Sequence, residues 1–170
     1  MDVFQAIESR ASVRSFSGGH VAIEQLQKLV DAGRRAPSGR NVQPWEFVVV
    51  TKKDLLQKLA ALTDHGPFIA QAGACIAVYC RDTKYYLEDG CAAVENILLA
   101  AVGLGLGACW VAGDKKAYVA DVAALLNAPK EMKLVALISV GYPDRQVEPK
   151  AKRPLEQVLH WETFLENHGC

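Results

Sequence analysis

Two arginines four residues apart flank a serine in the run Arg10-Ala11-Ser12-Val13-Arg14-Ser15-Phe16. Guanidinium forks grip phosphate bidentately, and a hydroxyl adds a further donor. The same cations also suit the end of a short helix, where the dipole favours positive charge. A second polar stretch is Ala36-Pro37-Ser38-Gly39-Arg40-Asn41-Val42-Gln43-Pro44-Trp45, which runs into Glu46-Phe47-Val48-Val49-Val50. Pro37 ends the preceding helix, and Pro44 opens a strand. A loop held between rigid elements can offer amides and hydroxyls to a flat ligand rich in heteroatoms. It can equally be an ordinary helix-to-strand connection.

Gly103-Leu104-Gly105-Leu106-Gly107 precedes Ala108-Cys109-Trp110-Val111-Ala112-Gly113. These glycines end a helix and open a strand, the reverse of the dinucleotide fingerprint, so a Rossmann site is rejected. They fit a left-handed helix stop, and Val111 to Gly113 can bring bare backbone close to a ligand. Lys150, Lys152 and Arg153 form a basic cluster that is either a solvated charge run or a companion to the front arginines.

Other chemistries find little support. Nineteen basic and nineteen acidic side chains leave a net charge of zero, which argues against nucleic acid or an anionic membrane surface as partner. The five cysteines form no Cys-x-x-Cys pair, and Cys75, Cys80, Cys91 and Cys109 lie in apolar runs. They read as buried free thiols of a reducing cytosol, so a cytoplasmic protein is expected. The four histidines show no metal-ligand spacing, and His168 with Cys170 reads either as a pair able to bind a metal or as a frayed tail. No signal peptide or membrane-length apolar run is visible.

The elements that must carry these residues follow from periodicity. Helices are expected at Asp2–Arg10, capped by Asp2, and at Ile23–Arg35. Further helices are expected at Leu55–Leu62, capped by Asp54, at Tyr86–Val102 and at Tyr118–Leu126. Strands are expected at Phe47–Val50, Ala74–Cys80, Ala108–Gly113 and Leu134–Val140, the second buried on both faces. The order suggests a single α+β domain built around a sheet of four or five strands. The helix from Tyr86 is apolar nearly all round, so either the sheet or a partner covers it.

In their order along nearly the whole chain, these motifs resemble the nitroreductase family of FMN-dependent oxidoreductases. The carriers are Arg10-Ala11-Ser12-Val13-Arg14-Ser15-Phe16, Ala36-Pro37-Ser38 through Asn41-Val42-Gln43-Pro44-Trp45, and Leu104-Gly105-Leu106-Gly107-Ala108-Cys109-Trp110. Gly141-Tyr142-Pro143 and Lys152-Arg153-Pro154-Leu155 complete the series. The resemblance implies a mixed central sheet flanked by helices in an interlocked homodimer, with residues 144–170 as a C-terminal arm on the partner subunit. It implies FMN at the interface: Arg10, Ser12, Arg14 and Arg153 on the phosphate, and the other subunit's Pro37, Ser38 and Asn41 along the ribityl chain and ring. Trp110, Val111, Ala112 and Gly113 would then run past the flavin N5. Gln43 and Trp45 would fix the loop. Arg40 and Lys84 are the candidates for a cation at the pyrimidine edge. The short connection after Cys80 leaves no room for a large substrate lid.

The implied activity passes a hydride from NADH or NADPH through the flavin to nitroaromatics, quinones or similar small acceptors, in ping-pong order. The alternatives are a flavin-binding sensor or carrier without turnover and a reductive dehalogenase-like flavoenzyme.

Overall fold

The computed structural model describes residues 1–164; His168 and Cys170 lie outside them. The elements, in chain order, are α1 (Val3–Ser9), α2 (Ile23–Arg34), β1 (Trp45–Val50), α3 (Lys53–Leu62), β2 (Ala74–Arg81), α4 (Tyr86–Gly103), β3 (Gly107–Ala112), α5 (Val119–Leu125) and β4 (Met132–Gly141). Asp2 caps α1 as expected: its carboxylate accepts the Gln5 N–H at 2.9 Å, and the Gln5 side chain accepts the Asp2 N–H at 2.9 Å. Asp54 does not cap α3, which begins earlier. Lys52 holds the cap position without a side-chain hydrogen bond, and Asp54 lies in the first turn.

The four strands form one antiparallel sheet in the order β1-β2-β4-β3. The one parallel pairing among the described residues is the bridge between Ser12 and Ala108. One sheet face carries Ile76, Val78, Ile138 and Val140 against α2 and α4. The other carries Ala77, Tyr79 and Leu137 against α3 and α5. β2 is therefore covered on both sides, which is why it reads as an unbroken apolar run.

Two local features place backbone near the candidate site. The end of α4 is a Schellman motif: Gly105 has φ 71°, Leu106 N–H reaches Ala101 C=O at 2.8 Å, and Gly105 N–H reaches Val102 C=O at 3.0 Å. In β4, Val78 pairs with Ala136 and Tyr79 with Leu134, so Val135 is the extra residue of a bulge. The Val135 carbonyl accepts from Gly113 N–H at 3.1 Å. A Cβ on Gly113 would lie 2.8 Å from the Val135 carbonyl carbon, and one on Gly90 of α4 would lie 2.6 Å from Val135 Cγ2. The bareness of Gly113 is thus required by β4 itself. Among the described residues no helix is long and apolar enough to cross a membrane.

Candidate functional site

The segment after α1 is extended and strapped to the sheet. Val13 N–H donates to Ala108 C=O at 3.0 Å, Ser17 N–H to Tyr142 C=O at 3.0 Å, and Asp144 N–H to Ser15 C=O at 3.1 Å. Val13 and Phe16 turn inward with Ala72, and Val147 packs on them. That packing returns the chain after β4 to the front of the molecule. Arg10, Ser12 and Arg14 together with Lys150 and Lys152 then line one cavity of about 210 Å³. The two cation clusters read separately in the sequence are therefore one place in space. Arg153, singled out from the sequence, is not among the lining residues, whereas Lys150 and Lys152 are.

Four cations around so small a volume suit an anion, and few partners compete for them. Arg10 meets Glu95 of α4 at 4.0 Å, and Arg14 stands over the Phe68 ring at 5.9 Å from its centre. Glu148 is the one carboxylate among the lining residues. Burial pushes the Cys109 thiol up, while Arg14, a hydrogen bond with Ser12, and Arg10 pull the other way. Cys75 and Cys80 are pushed up to about 12, chiefly by burial. Such thiols are structural and give no nucleophile near neutral pH. Among the described residues no group of His, Cys, Asp or Glu could hold a metal ion.

β3 is an edge strand, and its free edge can be read residue by residue. Ala108 turns its carbonyl outward to Val13, so by antiparallel alternation Trp110 and Ala112 also face outward. The Ala112 carbonyl is taken by the Tyr118 hydroxyl. Gly113 N–H is spent on Val135. The amide that the Val111–Gly113 segment leaves facing outward is that of Ala112.

The loop before β1 lies apart. Its residues share no lining with the basic cavity, and among the described residues no hydrogen bond or ion pair joins the two. Ser38 Oγ accepts Gln43 N–H at 3.0 Å, and the Gln43 side-chain amide donates to Asn41 C=O at 3.4 Å. Trp45 is buried in the core. Arg40 and Lys84 line one cavity of about 150 Å³ with Gly39, Thr83, Tyr85 and Asp89.

The chain matches the model of the nitroreductase family over residues 7–82 and 65–142. It is 33% identical over 150 residues to a protein of Archaeoglobus fulgidus provisionally named NADH dehydrogenase/NAD(P)H nitroreductase, covering 84% of this chain and 86% of that one. It is 27% identical over 187 residues to an FMN reductase [NAD(P)H] of Bacillus subtilis, covering 96% of this chain and 75% of that one. Among solved structures, a provisionally named nitroreductase of Desulfovibrio desulfuricans in complex with FMN superposes with a TM-score of 0.81 at 32% identity. That match covers 97% of this chain and 99% of that chain.

Proposed function

Because the chain belongs to the nitroreductase family, we propose that it is an FMN-dependent oxidoreductase. It passes a hydride from NADH or NADPH to a small acceptor, a nitroaromatic, a quinone or a similar compound, in ping-pong order. The observation that carries this reading is the convergence of Arg10, Ser12, Arg14, Lys150 and Lys152 on one cavity beside the free edge of β3. A phosphate ester fits that donor set, and FMN carries one at the end of a flexible chain.

When bound, FMN supplies the redox chemistry, taking a hydride at N5 and giving it up again. The protein binds and orients. Arg10, Arg14 and the lysines hold the phosphate, Ser12 adds a hydroxyl, and Arg153 stands within the same basic tail. The outward N–H of Ala112 is the donor available to a ring heteroatom, worth on the order of 1 kcal/mol. Trp110, Val111 and Gly113 fix the edge on which it sits.

A homodimer completes the site, with Pro37, Ser38 and Asn41 of one chain bordering the flavin whose phosphate the other chain holds. Several apolar surfaces support it. Val3, Phe4 and Ile7 form an exposed face of α1, and Leu155, Val158, Leu159 and Trp161 stand exposed on the arm. The free edge of β1 is flanked by two grooves, of about 540 and 460 Å³. Ile23, Leu26, Val30 and Val49 line the larger one. Such surfaces suit an arm, residues 144–170, laid on its partner.

Purified protein should show flavin absorption, and anaerobic NADH or NADPH should bleach it. Protein that is colourless and gains no FMN on titration would overturn the reading. Bleaching with neither nucleotide would favour a carrier or sensor.

A further inference from the structure

We propose that Asp89 is a positioning residue for the loop that borders the flavin, holding Gly39 from beneath so that Ser38 and Asn41 keep one orientation. The proposal rests on the function proposed above, and it begins from backbone strain. Arg40, Asn41 and Gln43 all have positive φ, at 54°, 55° and 52°. Asparagine tolerates that region, whereas arginine and glutamine do so only when their surroundings impose it. Three such residues in one short loop need something to hold them.

Two side chains from distant elements do so. Gly39 N–H donates to Asp89 Oδ1 at 2.9 Å. Asp89 is only 6% exposed, and it is one of three buried polar side chains among the described residues. Among the described residues no lysine or arginine forms an ion pair with it. Its charge is placed instead in the first turn of α4, where the dipole of an 18-residue helix favours an anion. The Tyr85 ring closes the same spot, since a Cβ at position 39 would lie 2.8 Å from its Cδ2. At the far end of the loop, Arg81 reaches the carbonyls of Val42 and Gln43 at 3.4 and 3.3 Å. Its own N–H donates to Pro44 C=O at 2.9 Å.

The loop is therefore clamped at both ends, with the buried carboxylate nearest Ser38. Ser38 Oγ accepts from Gln43, which fixes the oxygen and leaves its proton and one lone pair to offer a ligand. Removing the Asp89 carboxylate leaves Gly39 N–H without its acceptor and frees the strained residues beside it.

The test compares the wild-type dimer with Asp89→Ala and Asp89→Asn. FMN affinity is measured by flavin fluorescence, and the rate of tryptic cleavage after Arg40 is followed in the flavin-free dimer. The alanine variant should bind FMN about tenfold more weakly and be cut faster after Arg40. The asparagine variant keeps an oxygen acceptor and should recover both. Asp89→Leu, which fills the volume without an acceptor, replaces the alanine variant if that one does not fold. Wild-type affinity and cleavage in the acceptor-free variant would overturn the proposal. So would an asparagine variant as impaired as alanine. If the wild type binds no FMN, the proposed function falls instead, and cleavage after Arg40 alone decides whether Asp89 holds the loop.

Discussion

Around the basic cavity the charged groups end long side chains on extended backbone, and most of them reach toward solvent. Between Ser38 and Pro44 only Arg40 carries a charge, the backbone is bent into the left-handed region, and Asp89 and Arg81 hold it at either end. The cavity offers charge with loose geometry. The loop offers fixed geometry with little charge. In the proposed dimer the cavity of one chain and the loop of the other would meet on one ligand, the first at its anionic end and the second at its flat, hydrogen-bonding end.

The largest expected break in this comparison comes from the charged side. Arg10→Ala with Arg14→Ala removes two charge-assisted contacts of about 1.5–3 kcal/mol each. FMN affinity should fall roughly a hundredfold or more, read by equilibrium dialysis. Retention of flavin would mean that the cavity is not the phosphate site. Ionic strength tests the same contrast more gently. Between 50 and 500 mM salt, screening should weaken FMN binding by about tenfold, while the ratio of wild-type to Asp89→Ala affinity stays constant. A ratio that shrinks with salt would show the loop acting through charge after all.

The smallest effect belongs to a bond outside both regions. The Tyr86 hydroxyl donates to Asp114 Oδ1 at 2.7 Å, tying the start of α4 to the chain just after β3. That hydrogen bond, more than burial, pushes the Tyr86 hydroxyl up to about 12. Because the folded value lies above the unfolded one, this stabilisation is complete below about pH 10. It is lost as pH rises toward 12. Tyr86→Phe should lower stability by about 1 kcal/mol or less, given the partial exposure, and should lack that alkaline loss in a denaturation series. FMN affinity should stay within about twofold of wild type; a larger change would make this bond part of the site.

What could be read from the sequence was local. The capping of α1 by Asp2, the glycine stop at Gly105 and the doubly buried β2 each depend on residues within one turn or one strand, and each is present. The arginine-serine motif stayed open in the sequence between a phosphate grip and cations at a helix end. What the sequence hid was the company these residues keep. Asp89 reaches a loop 50 residues away, and Arg81 reaches one 38 and 39 residues away. A carboxylate in the first turn of a helix gives no hint of such a contact. Lys150 and Lys152, rather than Arg153, reach the cavity because Val147 anchors the returning chain. Which amide of Val111–Gly113 is outward depends on strand parity, fixed only once β3 is paired with β4. Asp54 misled because a good capping residue stood two places inside the helix it was meant to begin.

The bulge at Val135 has a consequence for how this chain can lose residues. With Val135 deleted, Leu134 and Ala136 would sit opposite Tyr79 and Val78 in an unbroken ladder, each on the face it already occupies. The sheet itself has no use for the extra residue. What would vanish is the carbonyl that holds Gly113 and the side chain on which Gly90 rests. A one-residue deletion there would leave a sheet of regular pairing intact and strip the edge beside Ala112 of its anchor, so the length of β4 is set by its neighbours.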